Sequence, residues 1–373
     1  MFVTFIQLFE PVSLNNIKSN NHQLRRHARE VQIGSVAIGG KNPIAVQSMT
    51  KTKTSDIEAT VAQIIELQNA GGDIVRVAVP DESAARALTS IKRQIEIPLV
   101  ADIHFNLHLA LLAIEAGADK IRLNPGTSTK THILTEIVDQ AKARNLPIRI
   151  GVNSGSIEKD LLKKYGRPCA DALVESILRH VAFFEKLSFD NLVLSLKASD
   201  VNMTIEAYQA IAAKTDYPLH LGITEAGISR MGIIKSAIGI GVLLQQGIGD
   251  TIRVSLTEDP VVEVQTALEI LRVLNLRCDG LNLISCPGCG RQEVDLIKIV
   301  HDFEQGIEPI KKPVTVAIMG CSVNGPGEAR EADIGIACGR RKAVLFRNGR
   351  ILRTIPEEAI LDELRNEIKR FCE

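Results

Sequence analysis

Hydrophobic and polar positions follow a repeating pattern from residue 44 onward: a short apolar run, a polar turn, then an amphipathic stretch with helical spacing. The apolar runs are rich in Val, Ile and Leu, which is typical of buried parallel strands joined by crossover helices. We predict eight strands, at residues 44–48, 74–79, 99–103, 120–123, 148–152, 192–196, 219–223 and 251–255. Eight such units occupy ~220 to 240 residues, the usual size of a (β/α)8 barrel. The pattern therefore predicts an α/β fold built on a TIM barrel.

An open doubly wound sheet is the alternative arrangement of the same elements. Such a sheet normally carries a glycine-rich phosphate turn after its first strand, and residues 44–50 contain no glycine. Gly239, Ile240 and Gly241 resemble a fragment of that turn, but they lie within a helical pattern and lack the third glycine. These observations favour the barrel.

The repeating pattern ends after a predicted helix at residues 260–274. Beyond it we predict a helix at about residues 292–304, an apolar strand, and a tight fold-back rich in Gly and Pro at residues 320–327. Three regions follow from this change of pattern. They are a loosely ordered N-terminal arm at residues 1–30, the barrel at 31–274, and a smaller α/β domain at 275–373.

Composition and charge exclude several classes of protein. The 44 basic and 44 acidic residues cancel and aromatic residues make up 3%, so we expect no nucleic-acid partner. The one local basic run, Arg25, Arg26, His27 and Arg29, is predicted to be a solvated edge. No apolar stretch approaches the ~20 residues that cross a bilayer, and residues 1–10 lack the features of a secretory signal. We therefore expect no membrane contact, a cytoplasmic location, and seven cysteines that are not paired in disulfides.

Polar side chains recur at the carboxyl ends of the predicted strands, the end of a barrel where active sites form. They are Gln47, Ser48, Arg76, Asp102, His104, Arg122, Asn124, Arg149, Asn153, Lys197, Glu225, Arg253 and Ser255. Five of the eight strands place an Arg or Lys in or beside an apolar run, where an unpaired buried cation is costly.

An anionic group must lie against these cations and balance their charge. Asp102 and Glu225 would do so in a purely structural network of ion pairs, but two carboxylates do not balance five cations. A ligand with two phosphate groups would balance them, and Arg suits bidentate phosphate contacts. We therefore predict a diphosphate ligand at the barrel mouth. His104 by itself would be interpreted as a core or supporting residue.

The smaller domain carries the strongest chemical signal. Cys286 and Cys289 flank Pro287 and Gly288 in a CxxC turn, and Cys321 follows in a loop entered from an apolar strand. Glu328 lies seven residues beyond Cys321, where a fold-back would return its carboxylate to the same centre. Zinc on three cysteines and one other ligand is the alternative. A carboxylate as the fourth ligand leaves a labile position at the metal centre. Such a position suits a catalytic centre better than a structural zinc site. The remaining cysteines, Cys169, Cys278, Cys338 and Cys372, show no comparable spacing and are interpreted as structural or incidental.

Several motifs of the chain resemble those of the bacterial 4-hydroxy-3-methylbut-2-enyl diphosphate synthases. They are Gln47-Ser48-Met49-Thr50, Asp102-Ile103-His104-Phe105, Arg149-Ile150-Gly151-Val152-Asn153, Lys197-Ala198-Ser199-Asp200, His220-Leu221-Gly222-Ile223-Thr224-Glu225-Ala226-Gly227 and Cys321-Ser322-Val323-Asn324-Gly325-Pro326-Gly327-Glu328. The match runs in order from about residue 30 to the C-terminus. The chain lacks the large insertion of the plant-type members, so the resemblance favours the bacterial two-domain form. The first ~20 residues have no counterpart in the compact members of the family.

This resemblance implies a cofactor, a substrate and a role for each site residue. It implies one 4Fe-4S cluster per chain on Cys286, Cys289, Cys321 and Glu328. The substrate would be 2-C-methyl-D-erythritol 2,4-cyclodiphosphate, reduced with two electrons from flavodoxin or ferredoxin, with loss of water. The catalytic residues would be Glu225, Asn153 and Glu328. The predicted substrate-binding residues are Arg76, Asp102, His104, Arg122, Asn124, Arg149, Lys197, Arg253 and Ser255.

Barrel geometry and the resemblance both predict a homodimer. The helix at residues 260–274 runs back from the mouth, so the chain enters the smaller domain at the opposite end of its own barrel. A two-fold dimer lets the cluster domain of one chain cap the barrel of the other. The rival functions are a non-redox barrel transferase with a structural zinc domain, and an electron-carrier or regulatory binding module.

Overall fold

The structure is a computed structural model that describes residues 25–104, 106–124, 131–277, 280–307, 310, 312–323 and 325–373. The chain divides between Leu276 and Arg277 into a barrel unit and a C-terminal unit. Most of the predicted N-terminal arm, residues 1–24, lies outside the described residues. No helix in the described ranges is both long and apolar enough to span a membrane.

A short antiparallel hairpin, β1 (Val31–Ile33) and β2 (Val36–Ile38), precedes the barrel. Its apolar side chains pack on residues near the amino ends of barrel strands, including Ala45, Ile74 and Val100. The hairpin therefore covers the end of the barrel that lies away from the active-site end.

Two members of the basic run that precedes the hairpin, Arg25 and Arg26, do not lie at the solvated edge that we predicted, whereas His27 is exposed. The Arg25 and Arg26 side chains are only 9% and 14% exposed, and both pair with Asp250, at 3.0 and 3.7 Å. Arg26 also donates to the carbonyl oxygens of Thr215 and Tyr217. These arginines tie the incoming chain to the barrel because Asp250 and those carbonyls supply acceptors that a sequence pattern does not reveal.

The barrel has eight parallel strands. They are β3 (Ala45–Met49), β4 (Ile74–Val79), β5 (Leu99–Ile103), β6 (Lys120–Leu123), β7 (Ile148–Asn153), β8 (Leu192–Lys197), β9 (His220–Leu221) and β10 (Thr251–Ile252). They pair in the order β8-β7-β6-β5-β4-β3-β10-β9, and a parallel bridge between Leu194 and Leu219 joins the two ends of that order. The predicted TIM barrel is confirmed. The seventh and eighth strands are shorter than predicted, since regular pairing stops at Leu221 and Ile252.

Nine helices surround the strands in the described part of this unit. They are α1 (Ile57–Asn69), α2 (Glu82–Lys92), α3 (His108–Glu115), α4 (Thr131–Ala143), α5 (Lys159–Tyr165), α6 (Ala170–Lys186), α7 (Val201–Ala212), α8 (Ser229–Gln245) and α9 (Pro260–Val273). Aspartate N-caps, such as Asp56, Asp81 and Asp200, accept backbone N–H bonds at several helix starts. Gly239 and Gly241 lie inside α8, as the helical pattern predicted.

The C-terminal unit is a mixed five-stranded sheet with helices on both faces. Its strands are β11 (Leu281–Ser285), β12 (Val314–Met319), β13 (Ile334–Gly339), β14 (Lys342–Arg347) and β15 (Arg350–Pro356), and its helices are α10 (Leu296–Gln305), α11 (Gly325–Glu331) and α12 (Ile360–Cys372). The first three strands are parallel and the last three antiparallel. Side chains of α10 and α12 share one apolar core with the sheet, and α11 packs in a second, smaller core.

Two local predictions for this unit are corrected. The helix predicted from about residue 292 begins at Leu296, because Asp295 caps it and accepts the N–H of Lys298 at 3.2 Å. The predicted fold-back ends in a helix, α11, which starts at Gly325. A Cβ at position 325 would lie 3.0 Å from Met319 Cβ and 3.2 Å from Ala337 Cβ, so glycine lets the helix approach the sheet closely.

Candidate active site

A cavity of about 120 Å³ opens at the carboxyl ends of the barrel strands. Its lining consists of Arg76, Asp102, His104, Arg122, Arg149, Asn153, Ser195, Lys197, Thr224, Arg253 and Ser255. Most of the predicted mouth residues are therefore brought together, while Gln47, Ser48, Asn124 and Glu225 lie outside this lining. Ser195 and Thr224 were not predicted.

Asp102 is the central acceptor of the cavity. Strand register places it opposite Arg122 on β6, which in turn lies opposite Arg149 on β7. Arg122 Nη1 donates to Asp102 Oδ1 at 3.1 Å, and Arg76 Nε lies 3.7 Å from Asp102 Oδ2. Burial opposes ionisation of Asp102, but Arg76, His104 and Arg122 outweigh it and hold the pKa of Asp102 below its ordinary value. Asp102 is thus a fixed anion that orients two arginines.

The second carboxylate that contacts these cations is Glu263, which the sequence analysis did not identify. Glu263 lies in the first turn of α9 with a side chain that is 1% exposed, 3.7 Å from Arg253 Nη2. It also accepts the backbone N–H of Leu256 at 2.9 Å. Glu225 is exposed and has a φ of +52°. A signal for Glu263 existed, since it falls on the apolar helical face of Ala267 and Leu271.

The cations of this cavity outnumber its two carboxylates. Arg149 is 1% exposed, and its Nε and Nη1 have no hydrogen-bond partner among the described residues. Burial and neighbouring cations lower the pKa values of Arg149 and Lys197 well below their ordinary range. Burial likewise lowers the pKa of Arg76 to about 9, although Asp102 opposes this. A bound anion would relieve this repulsion and supply the missing acceptors.

Two glycines make room for the cationic side chains. A Cβ at position 151 would lie 2.9 Å from both Arg122 Nε and Ser195 Oγ. A Cβ at position 222 would lie 2.7 Å from Lys197 Nζ and 2.6 Å from the Arg253 carbonyl oxygen. The absence of side chains at Gly151 and Gly222 therefore determines where these two cations can lie.

We expect Gly151→Ala to weaken the affinity of the barrel for inorganic diphosphate by about tenfold, or about 1.4 kcal/mol. The added methyl group must displace the ends of the Arg122 and Ser195 side chains, while the strand backbone stays in place. Isothermal titration calorimetry measures the effect. Gly155→Ala is the matched control, because a Cβ at position 155 meets nothing within 4 Å. Equal affinities for the two variants would contradict this role for Gly151.

A second cavity, of about 410 Å³, lies in the C-terminal unit. Its lining consists of Ile284, Ser285, Cys286, Pro287, Gly288, Cys289, Arg291, Met319, Gly320, Cys321, Gly325 and Glu328. Cys286 follows β11 and Cys321 follows β12, and these strands are parallel neighbours, so both thiols emerge at one edge of the sheet. Glu328 joins them from the first turn of α11. The four predicted ligands therefore line one cavity.

Local geometry makes this cavity suitable for a metal cluster that is bound by several cysteine sulfur atoms. The Gly320 N–H donates to Cys286 Sγ at 3.4 Å, and such bonds stabilise thiolates. Gly288 has a φ of +77°, which lets the CxxC turn close. Across the described ranges, no three His, Cys, Asp or Glu side chains converge on a single metal position.

The other cysteines among the described residues, Cys169, Cys338 and Cys372, take no part in this lining. Cys338 is fully buried in β13, and burial, Glu357 and the nearby Cys286 and Cys321 raise the pKa of Cys338 to about 12. It is thus a neutral core thiol. Cys169 packs against the barrel core and Cys372 against the core of the C-terminal unit. Cys278 lies outside the described residues.

Comparisons with known proteins place both units in one family. The family model described as the GcpE TIM-barrel domain matches residues 28–268, and that described as the GcpE protein C-terminal domain matches residues 282–370. A relative from Bacillus cytotoxicus, "4-hydroxy-3-methylbut-2-en-1-yl diphosphate synthase (flavodoxin)", is 55% identical and covers 92% of this chain and 94% of its own length. A relative of the same name from Geobacillus kaustophilus is 56% identical and covers 94% of this chain and 93% of its own length.

A solved structure shares the barrel fold. It is a dihydropteroate synthase from Stenotrophomonas maltophilia with bound imidazole, 14% identical, with a TM-score of 0.50 over 66% of this chain and 97% of that chain. This likeness concerns the fold alone. Because the family models match both units and the relatives are more than half identical over nearly the whole chain, the chain belongs to the GcpE family.

Proposed function

We propose that the chain is a 4-hydroxy-3-methylbut-2-en-1-yl diphosphate synthase, an iron-sulfur oxidoreductase of the methylerythritol phosphate route to isoprenoids. It reduces 2-C-methyl-D-erythritol 2,4-cyclodiphosphate to (E)-4-hydroxy-3-methylbut-2-enyl diphosphate. One observation carries the proposal. The same chain contains a cavity rich in cationic side chains and a cavity lined by three cysteines and a glutamate. The names of relatives more than half identical support it.

The barrel cavity supplies the diphosphate site of this proposal. Arg122 and Arg149 present guanidinium groups that suit phosphate oxygens, and Lys197 adds a third charge beside Gly222. Asp102 and Glu263 hold the arginines in place rather than competing for the ligand. The substrate contacts predicted for Arg76, His104, Arg253 and Ser255 belong to the same proposal, since all four line the cavity.

Glu225 acts as the acid-base group of the reaction, helped by Asn153. Asn153 lines the cavity, and the Ser156 hydroxyl, which contacts Asn124 at 3.0 Å, donates to the Asn153 carbonyl oxygen at 3.1 Å. Asn124 therefore supports Asn153 through Ser156. Glu225 follows Thr224 of the lining, and its left-handed backbone, with a φ of +52°, is a strained conformation of the kind found at functional sites. Its carboxyl would provide the proton with which the leaving hydroxyl becomes water.

The second cavity would hold one 4Fe-4S cluster per chain on Cys286, Cys289, Cys321 and Glu328. When bound, the cluster supplies the two electrons with which the ring C–O bond to phosphate is broken and the hydroxyl is lost. The Cys286 thiolate is stabilised by the Gly320 N–H. The Glu328 carboxylate is exposed and would be the exchangeable ligand of the cluster.

Two kinds of partner complete the proposal. Reduced flavodoxin, which the names of the relatives mention, or ferredoxin delivers the electrons in the cytoplasm. A second copy of the chain forms a homodimer in which the cluster unit of one chain caps the barrel of the other. The path of α9 supports this, because its late residue Leu268 lies near Gly71, which precedes β4 at the amino ends of the strands. The chain thus leaves the barrel at the end opposite the cavity.

Anaerobic purification tests the function. We expect a brown protein with broad visible absorption, about four irons per chain, and turnover of the cyclic diphosphate with a chemical reductant. A colourless protein that contains zinc and no iron would contradict the proposal and favour a non-redox transferase. A brown protein without turnover would favour an electron-carrier role.

A further inference from the structure

Side chains fill the interior of the barrel in layers. In barrels of this class each layer takes four residues from alternate strands, and bulky aliphatic residues dominate. The strand register places one layer at the cavity, and its members all line that cavity: Arg76, Arg122, Ser195 and Arg253. The layer beneath it, away from the mouth, consists of Gln47, Val100, Arg149 and His220. The next layer consists of Ile74, Lys120, Val193 and Thr251. We call the last two the inner layers.

The inner layers contain buried polar atoms that are not satisfied by the protein. Gln47, Lys120, Arg149 and His220 are each at most 1% exposed. Six of their atoms have no hydrogen-bond partner among the described residues: Gln47 Nε2 and Oε1, Lys120 Nζ, Arg149 Nε and Nη1, and His220 Nε2. The other ring nitrogen of His220, Nδ1, lies 2.8 Å from Thr251 Oγ1. Unpaired buried polar groups are costly, so a concentration of them in a barrel core points to a bound partner.

These atoms lie beneath the diphosphate cavity. Arg149 lines that cavity, but Gln47, Lys120 and His220 do not. A ligand at the barrel mouth reaches Arg149 and is separated from the other three by the layer that contains Arg76 and Arg122. The inner layers therefore need a partner of their own.

The unpaired atoms are mainly hydrogen-bond donors. A lysine ammonium carries three N–H groups, the two arginine nitrogens carry three between them, and the glutamine amide carries two. Gln47 Oε1 is an acceptor, and His220 Nε2 is one in a single tautomer. A water molecule would accept from these donors but would bring two further hydrogens that need acceptors. An anion accepts several hydrogen bonds and brings none, so the set of groups favours an anion.

The charges of the inner layers favour an anion as well. Their eight residues include no carboxylate. Burial, together with Arg149 and Arg76, lowers the pKa of Lys120 well below its ordinary range. Burial and neighbouring cations, Arg149 first among them, also lower the pKa of His220. An anion among these groups would favour the charged form of Lys120.

The width of the barrel limits the size of this anion. The interior of an eight-stranded barrel is just wide enough for its own side chains. A phosphate group or an organic acid is therefore too large for the inner layers, whereas a monatomic ion suits them.

We propose that the inner layers bind one small monovalent anion of the halide class, such as chloride, through Lys120, Arg149 and Gln47. The anion accepts hydrogen bonds from Lys120 Nζ, from Arg149 Nε and Nη1, and from Gln47 Nε2. It holds the inner edge of the Arg149 guanidinium and so positions this residue beneath the diphosphate site. The inference does not depend on which diphosphate compound the barrel binds.

Bromide is the probe, because it replaces chloride and gives an anomalous X-ray signal that changes across the bromine absorption edge. Crystals of the full-length, cluster-loaded protein grown in sodium bromide should show a bromine peak on the barrel axis, in contact with Lys120 Nζ and Arg149 Nε. Inorganic diphosphate added to such crystals should occupy the cavity and leave the bromine peak in place.

Lys120→Met should abolish the bromine peak, since methionine keeps the length of the side chain but has no N–H group. Lys142→Met is the control, because Lys142 is an exposed lysine on α4 of the same unit, and this variant should keep the peak.

Thermal unfolding in solution gives a second measurement that needs no crystals. The parent protein and the Lys142→Met variant should unfold about 3 °C higher in sodium chloride than in sodium gluconate of equal ionic strength, because gluconate is too large for the site. The Lys120→Met variant should show no such difference.

The parent protein alone can overturn the proposal, even if Lys120→Met fails to fold. Ordered water on the axis, bromine peaks confined to the protein surface, or displacement of the axial peak by diphosphate would each refute a separate inner site. An undiminished axial peak in folded Lys120→Met would also refute it. Neither readout depends on turnover. An inactive protein that holds the anion would refute the proposed function alone, and an active protein without it would refute this inference alone.

Discussion

Glu328→Gln is expected to remove nearly all turnover while the barrel keeps its affinity for inorganic diphosphate. Glu328 lines the cysteine cavity from the first turn of α11, whereas the diphosphate site consists of barrel residues. The amide keeps the size of the carboxylate but loses its charge, so it is a much poorer ligand for iron. We expect a fall in kcat of more than about a hundredfold, equivalent to about 3 kcal/mol.

Three measurements check this expectation. Turnover with a chemical reductant gives kcat, calorimetry gives the diphosphate affinity, and the visible spectrum reports the cluster. Glu331→Gln is the matched control, since Glu331 is exposed at the end of the same helix and outside the cavity lining. Parent-like kcat and cluster spectrum in the Glu328→Gln protein would rule out a role for the carboxylate as ligand.

Mixing two inactive variants is expected to restore activity. A Glu225→Ala chain keeps its cysteine cavity, and a Cys289→Ser chain keeps its barrel. If the cluster unit of one chain serves the barrel of the other, each mixed dimer contains one intact site and one doubly defective site. Random exchange makes half of the dimers mixed, so we expect roughly a quarter of the parent activity.

The control for this experiment is a mixture of Glu225→Ala with Asn153→Ala. Both changes affect the barrel, so no mixed dimer has an intact site and no recovery is expected. Subunit exchange is verified with differently tagged chains, and the Cys289→Ser chain must be folded. Exchange without recovery in the first mixture would mean that each chain uses its own cluster.

The architecture and most of the barrel cavity follow from the pattern of residues along the chain. Strand length and helical spacing are local properties of the sequence. Parallel strands of a barrel place their carboxyl ends together irrespective of the residues in the connecting helices. Hence the grouping of Arg76, Arg122, Arg149 and Lys197 in one cavity is predictable from the sequence. The cysteine cavity was likewise predictable, because β11 and β12 are neighbours that deliver Cys286 and Cys321 to one edge.

The groups that face one another across the fold, in contrast, are set by tertiary packing. Glu263 lies on a helix far along the chain from Ser48, yet its side chain contacts both Ser48 and Arg253. Arg25 and Arg26 are buried because Asp250 and two carbonyl oxygens accept hydrogen bonds or pair with them. A run of basic residues in the sequence does not reveal these partners. The exposure of Met231, Ile234, Ile238 and Val242 on α8 depends on which side of the helix packs on the barrel. Periodicity reports local conformation, whereas partners distant in sequence are selected by packing and charge pairing that exist only once the chain has folded.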